Sequence, residues 1–141
     1  MASYNKIQVF VENVAEGVHD LGADTLKVAL TNTAPVATNT IFANITEISA
    51  GNGYTAGGTA ATISDSSHTT GTYKLTLADV VFTASGGSIG PFRYAVLYND
   101  TPTSPADPLI AWWDNGSAIT LSDGETFTVD FDASNGVLTI A

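Results

Sequence analysis

Residues that carry chemistry are sparse in this chain and rarely sit together. Gly86-Gly87-Ser88-Ile89-Gly90 has the spacing of a serine nucleophile elbow. Such an elbow needs a strand before the serine and a helix after it, so that a sharp turn exposes the hydroxyl. Here Pro91 and a strand-like run follow, and both histidines, His19 and His68, precede the serine. A glycine-rich strand connection accounts for the run better than catalysis. Gly51-Asn52-Gly53-Tyr54-Thr55-Ala56-Gly57 is as glycine-rich as a dinucleotide loop, but the spacing is wrong. Nothing helical follows it to offer an N-terminus to a phosphate. Asp130-Phe131-Asp132-Ala133-Ser134-Asn135-Gly136 has the look of a calcium loop. Its glycine comes one place late, and Ala141 stands where a bidentate Glu is required. These acids are better read as flanking a hairpin turn. Two distant histidines do not fix a metal geometry. No cysteine is present, which excludes disulfides and thiolate metal sites. No nucleophile, base and orienter assemble, so the sequence predicts no enzyme, no metal and no cofactor.

What stands out instead is aromatic and apolar. From Ser88 to Asp100 the chain alternates, with Phe92, Tyr94, Val96 and Tyr98 on one face and Arg93, Ala95 and Leu97 on the other. Both faces are largely apolar, so this strand should be covered on two sides. Arg93 is the sole arginine. If buried it must be paired, with an acid of its own chain or across a subunit boundary. Leu109 to Asp114 holds both tryptophans. Trp112 and Trp113 are adjacent, so on a strand they point to opposite faces and one of them must look away from the core. Aromatics dominate interface energetics. Trp112, Trp113 and Arg93, with Tyr4 and Phe10 of the N-terminal segment, are therefore the candidate contact residues.

The elements that position these residues follow from periodicity. Tyr4, Ile7, Val11, Val14, Val18 and Leu21 recur at three- and four-residue steps. This predicts an amphipathic helix over 4–21, with Ser3 as N-cap and Gly22 as its stop. Its apolar stripe should lie on the protein's own sheet or dock on a neighbouring subunit. Strands are predicted over 25–31, 59–64, 72–84, 88–100, 109–114, 118–121, 126–131 and 137–140. The segment 41–48 reads equally as strand or helical turn, and 49–58 as irregular backbone. Turn signals recur about every ten residues in the second half, including Asp123-Gly124 and Asn135-Gly136. The expectation is a mainly β single domain over 1–141. Its architecture should be an antiparallel sandwich or barrel, jelly-roll-like, behind one N-terminal helix.

Composition narrows the function. The 141 residues carry 14 acids against 4 bases, a formal charge of −10. That argues against nucleic acid and against anionic membrane surfaces, both of which need Lys and Arg. It suits a soluble, self-repelling particle or a partner with basic patches. The N-terminus does not read as a signal peptide. No run approaches the ~20 apolar residues that cross a bilayer. A chain of this size buries roughly 70% of its unfolded surface, enough for a core without staples.

Three stretches carry a resemblance. They are Leu21-Gly22-Ala23-Asp24-Thr25-Leu26-Lys27-Val28-Ala29-Leu30-Thr31-Asn32-Thr33-Ala34-Pro35, then 45–58 from Ile45 to Gly58, and Gly90-Pro91-Phe92-Arg93-Tyr94-Ala95-Val96-Leu97-Tyr98-Asn99-Asp100. Together they resemble small virion-associated proteins of tailed bacteriophages, over nearly the whole chain. The resemblance implies a virion component with no catalytic residues. Within a virion it implies a capsid decoration, or cement, protein. Such a protein would contact the major capsid protein and itself, as a dimer or trimer. A tail or head–tail junction protein is the rival inside the virion. A glycan-binding module for host attachment, stacking sugars on an exposed tryptophan, is the rival of another class.

Overall fold

The structure is a computed structural model that describes residues 3–141. It is mainly β, and every strand pairing is antiparallel. Among the described residues, ten strands form three sheets. The largest has five strands, β1 (Ser3–Lys6), β8 (Leu109–Leu121), β7 (Ile89–Asn99), β2 (Leu26–Thr31) and β3 (Thr59–Ala61), in that spatial order. The second is β10 (Leu138–Ile140), β5 (Thr72–Leu77) and β4 (Ile63–Thr69). The third pairs β6 (Val80–Thr83) with β9 (Thr126–Val129). The sheets are open, and no closed barrel forms among the described residues.

The Ser88–Asp114 hairpin sits at the centre. β7 and β8 are the longest strands, at 11 and 13 residues. Ala95 to Asn99 are all buried, as expected of a strand covered on two sides. One covering comes from the undecided segment 41–48, where Phe42–Asn44 is a 3₁₀ turn. The Phe42 ring stacks on Tyr98 at 4.2 Å and 10°. β8 runs on through Leu121 as one strand, where two were expected. Bulges between Ile89 and Tyr94 absorb the mismatch with its partner.

The N-terminal helix is the main correction. Residues 3–6 are strand, not helix, and pair along β8 as Ser3↔Asp114, Tyr4↔Trp113, Asn5↔Trp112 and Lys6↔Ala111. The helix, α1, covers only Phe10–Ala15. Its stop is Gly17, not Gly22. Gly17 has φ +77°, Val18 N–H donates to Asn13 O at 2.8 Å, and Gly17 N–H donates to Val14 O at 3.3 Å. This is a Schellman ending, with glycine in the left-handed position. The free edge of β8 offers 3–6 a full ladder of hydrogen bonds. The few turns of helix the apolar spacing promised offer nothing comparable in a sequence interrupted by Gly17. Ile7, Phe10 and Leu21 still reach the core, whereas Val11 is 54% exposed.

A Cβ at Gly17 would meet no atom of the described residues within 4 Å, so the conformation alone is at stake there. Gly17→Ala should therefore lower stability by about 1 kcal/mol, the cost of a left-handed non-glycine residue, as read from the midpoint of a urea melt.

β4 extends past the strand expected over 59–64, to Thr69. Its sequence is Ile-Ser-Asp-Ser-Ser-His-Thr, with little apolar alternation. It is a solvent-facing hairpin arm, held by its ladder to β5 and turned at Thr70-Gly71, both at positive φ. Asp123-Gly124 and Asn135-Gly136 do turn the chain, but between sheets. β9 pairs with β6 and β10 with β5, so neither turn closes a hairpin.

Candidate contact surface

The five-stranded sheet sets Tyr4, Trp113 and Ala95 side by side in one row, because Trp113 pairs with Tyr4 on β1 and with Ala95 on β7. Trp112 falls in the neighbouring row with Asn5 and Val96, on the opposite face. Both tryptophans are half-buried. The division of faces expected from adjacency holds, but neither ring is fully committed to the core. Trp113 meets Phe131 edge-on at 5.6 Å and 70°, and Tyr4 at 5.7 Å and 66°. Phe127 meets Phe92 at 5.0 Å and 71°. Edge-to-face geometry of this kind is the preferred aromatic arrangement. The rings leave a groove of about 510 Å³ whose wall includes Tyr4, Trp113, Arg93, Phe127 and Asp130.

Arg93 lies at this groove and is paired within the chain. Its Nε donates to Asp114 Oδ1 at 2.8 Å and its second terminal nitrogen to Oδ2 at 3.1 Å, a bidentate fork. The Arg93 guanidinium, then the Gly116 N–H, hold the Asp114 carboxyl below the usual carboxylate range. The side chains are 39% and 33% exposed, so the pair orients the groove wall and adds little stability. Phe10, expected at a contact surface, is instead in the core. It is 4% exposed, with its ring 5.2 Å from that of His19.

A second concavity of about 750 Å³ adjoins the groove and shares Asp130, Phe131 and Asp132 with it. Asp65, Asp79 and Lys74 complete its charged lining. Most of these groups have partners. Asp79 Oδ1 accepts from Phe131 N–H at 2.9 Å. Asp132 accepts from the Ser134 and Asn135 N–H groups and from the Asn135 side chain, each at 2.8 Å. The Asn135 contacts, then the Ser134 N–H, hold its carboxyl below the ordinary range. Lys74 Nζ donates to Ser134 O at 3.0 Å. The run 130–136 is thus a self-capped turn. No hydrogen bond or ion pair engages the Asp130 carboxylate among the described residues.

The other sequence motifs resolve into structure. Ser88 leads directly into β7 and no helix follows it. His19 is buried beside α1, while His68 is exposed on β4. No group of three or more acids and histidines is arranged to hold a metal among the described residues. Nor is any helix there long and apolar enough to cross a membrane. Sequence reasoning missed Phe131, Phe127 and Asp130 as parts of the groove. The signal was the shared face of Phe127, Val129 and Phe131, but nothing local showed that this face meets Trp113. Comparison of the chain with protein-family models, curated proteins and solved structures finds no match.

Proposed function

We propose that this protein is a structural component of a tailed-bacteriophage virion, a capsid decoration protein that stabilises the shell through protein–protein contacts. The observation that carries the reading is the aromatic groove. A small domain leaves Tyr4 40% exposed and Trp113 half-exposed on one wall, beside a bidentate Arg93–Asp114 fork. Rigid aromatic anchors ringed by polar groups are what protein contacts use. The resemblance of 21–35, 45–58 and 90–100 to virion-associated proteins adds the setting. The charge of −10 keeps free copies apart until they meet a complementary surface. In this reading the fold is a sandwich. The contacts of Trp113 with Phe131 and of Phe92 with Phe127 join the five-stranded sheet to the segment that carries β9.

Purified protein added to particles that lack it should be retained and should raise their resistance to heat. Particles that bind none and melt unchanged would overturn the proposal. Copy number separates capsid from tail, since hundreds per particle mean the shell and a single ring means the tail or the head–tail junction. A second reading, glycan binding, draws on the half-exposed tryptophan beside carboxylates. It requires specific signals on a glycan array that disappear in Trp112→Ala or Trp113→Ala.

A further inference from the structure

We infer that the groove and its acidic neighbour form one docking site for a basic segment of another protein, with an arginine or lysine side chain laid along Trp113 and its charge on Asp130. This rests on the proposal that the protein works by protein contacts, and it names the chemistry of the partner. Charge is the first argument. The joined concavities are lined by Asp65, Asp79, Asp130 and Asp132 against Lys74 and Arg93. Asp114 already neutralises Arg93, so a net negative field remains.

Shape and chemistry are the second argument. Asp130 borders both concavities, is exposed, and keeps a carboxylate free of intramolecular partners among the described residues. Beside it, the part of Trp113 left open by Tyr4 and Phe131 is a surface on which a guanidinium or an aliphatic stem stacks. An unmatched polar atom is also present. Thr76 lines the acidic concavity, is 6% exposed, and its hydroxyl has no hydrogen-bond partner among the described residues. Leu75 and Leu77, either side of it, are buried in the core, so alternation turns Thr76 with Lys74 toward the concavity.

A second copy of this chain does not fit as the occupant. It has 4 basic residues, no two adjacent in sequence. Lys27 is paired with Asp100 at 3.0 Å, Arg93 with Asp114, and Lys74 with Ser134 O. Among the described residues only the Lys6 side chain is left, so the basic segment belongs to a different protein.

The test uses the whole ¹⁵N-labelled protein and a short acetylated, amidated peptide of alternating Gly and Arg. The same peptide with Glu in place of Arg is the control. The indole N–H of Trp113 and the amides of 127–132 should shift saturably with the Arg peptide, while the indole of Trp112 should not. Asp130→Asn should weaken binding at least about tenfold. Glu16→Gln, which removes an exposed charge at the end of α1, should leave it within about twofold. Three results would each overturn the inference: no saturable shift at millimolar peptide, equal weakening by both variants, or equal binding of the Glu peptide. The particle assay separates the two claims. Peptide binding without particle retention keeps the groove and discards the capsid, whereas undiminished retention of Asp130→Asn does the reverse.

Discussion

Tyr54→Phe should lower the stability of this protein by about 2–3 kcal/mol without changing the steepness of its urea transition. The loss is local and specific. β3 pairs with β2 only from Leu26 to Val28, so the Leu30 N–H lies past the end of that ladder. It donates instead to the Tyr54 hydroxyl at 3.0 Å. That hydroxyl in turn donates to Glu47 Oε1 at 2.7 Å, and the Gly57 N–H donates to the same oxygen at 2.6 Å. The Gly57 carbonyl accepts from the Tyr98 hydroxyl at 2.6 Å. One carboxylate and two phenols therefore tie the glycine-rich loop 49–58 onto β2 and β7. Burial, then the neighbouring Glu47 carboxylate, push the Tyr54 hydroxyl above its ordinary range against the opposing Leu30 N–H. It therefore stays protonated and donating. Phenylalanine keeps the ring contact with Phe82 but strands a buried N–H and removes one donor from the carboxylate. Glu47→Gln keeps an oxygen for both donors and should cost about 1 kcal/mol, the difference between a charged and a neutral acceptor. If both variants match the parent in urea, the network is not what holds the loop.

This loop also shows why only part of the fold is visible in the sequence. Glycine-rich backbone at 49–58 is a local signal, and it is read correctly as irregular. What the irregularity is for depends on partners far along the chain. Gly58 has φ +81°, and a Cβ there would collide with the Val28 carbonyl of β2. No feature of residues 49–58 announces that approach. The same division runs through the molecule. β7 is legible because its alternation and its two apolar faces are properties of the strand itself. The helix over 4–21 is misread because the apolar spacing at 4, 7, 11 and 14 suits a helix, while the open edge of β8 is a tertiary fact that outweighs it. At the groove, Trp113, Arg93 and Tyr4 are found by residue type alone. Phe131 and Asp130 come to them across a sheet boundary, so no spacing rule connects them.

Acidification supplies the second large effect, and it passes through His19. This side chain is 8% exposed, with its ring against Phe10. Asn99 Nδ2 lies 3.1 Å from its Nδ1 and also donates to Asp24 Oδ2 at 2.6 Å. With Nδ1 accepting, the proton sits on Nε2, which is buried without a partner among the described residues. Burial, only partly offset by Asp24, lowers the histidine from 6.5 to about 4. Between those values the unfolded chain binds a proton that the folded chain refuses. Stability is therefore complete above pH 6.5, falls as the pH drops through this window, and levels off below about 4. The full loss should be about 3 kcal/mol. Asp114 and Asp132, both held below the ordinary carboxylate range, give up their contributions only at lower pH and do not contaminate the window. Asp107, raised by burial and then by Asp100, acts in the opposite sense, since protonating it favours the folded form. His19→Phe isolates the histidine, because Asp107 is present in both proteins. Phenylalanine preserves the contact with Phe10, removes the orphaned Nε2, and leaves Asn99 its bond to Asp24. Urea unfolding of this variant should give near-parental stability at pH 7 and no fall in stability down to about pH 4. An equally steep fall in the variant would place the acid sensitivity in another group.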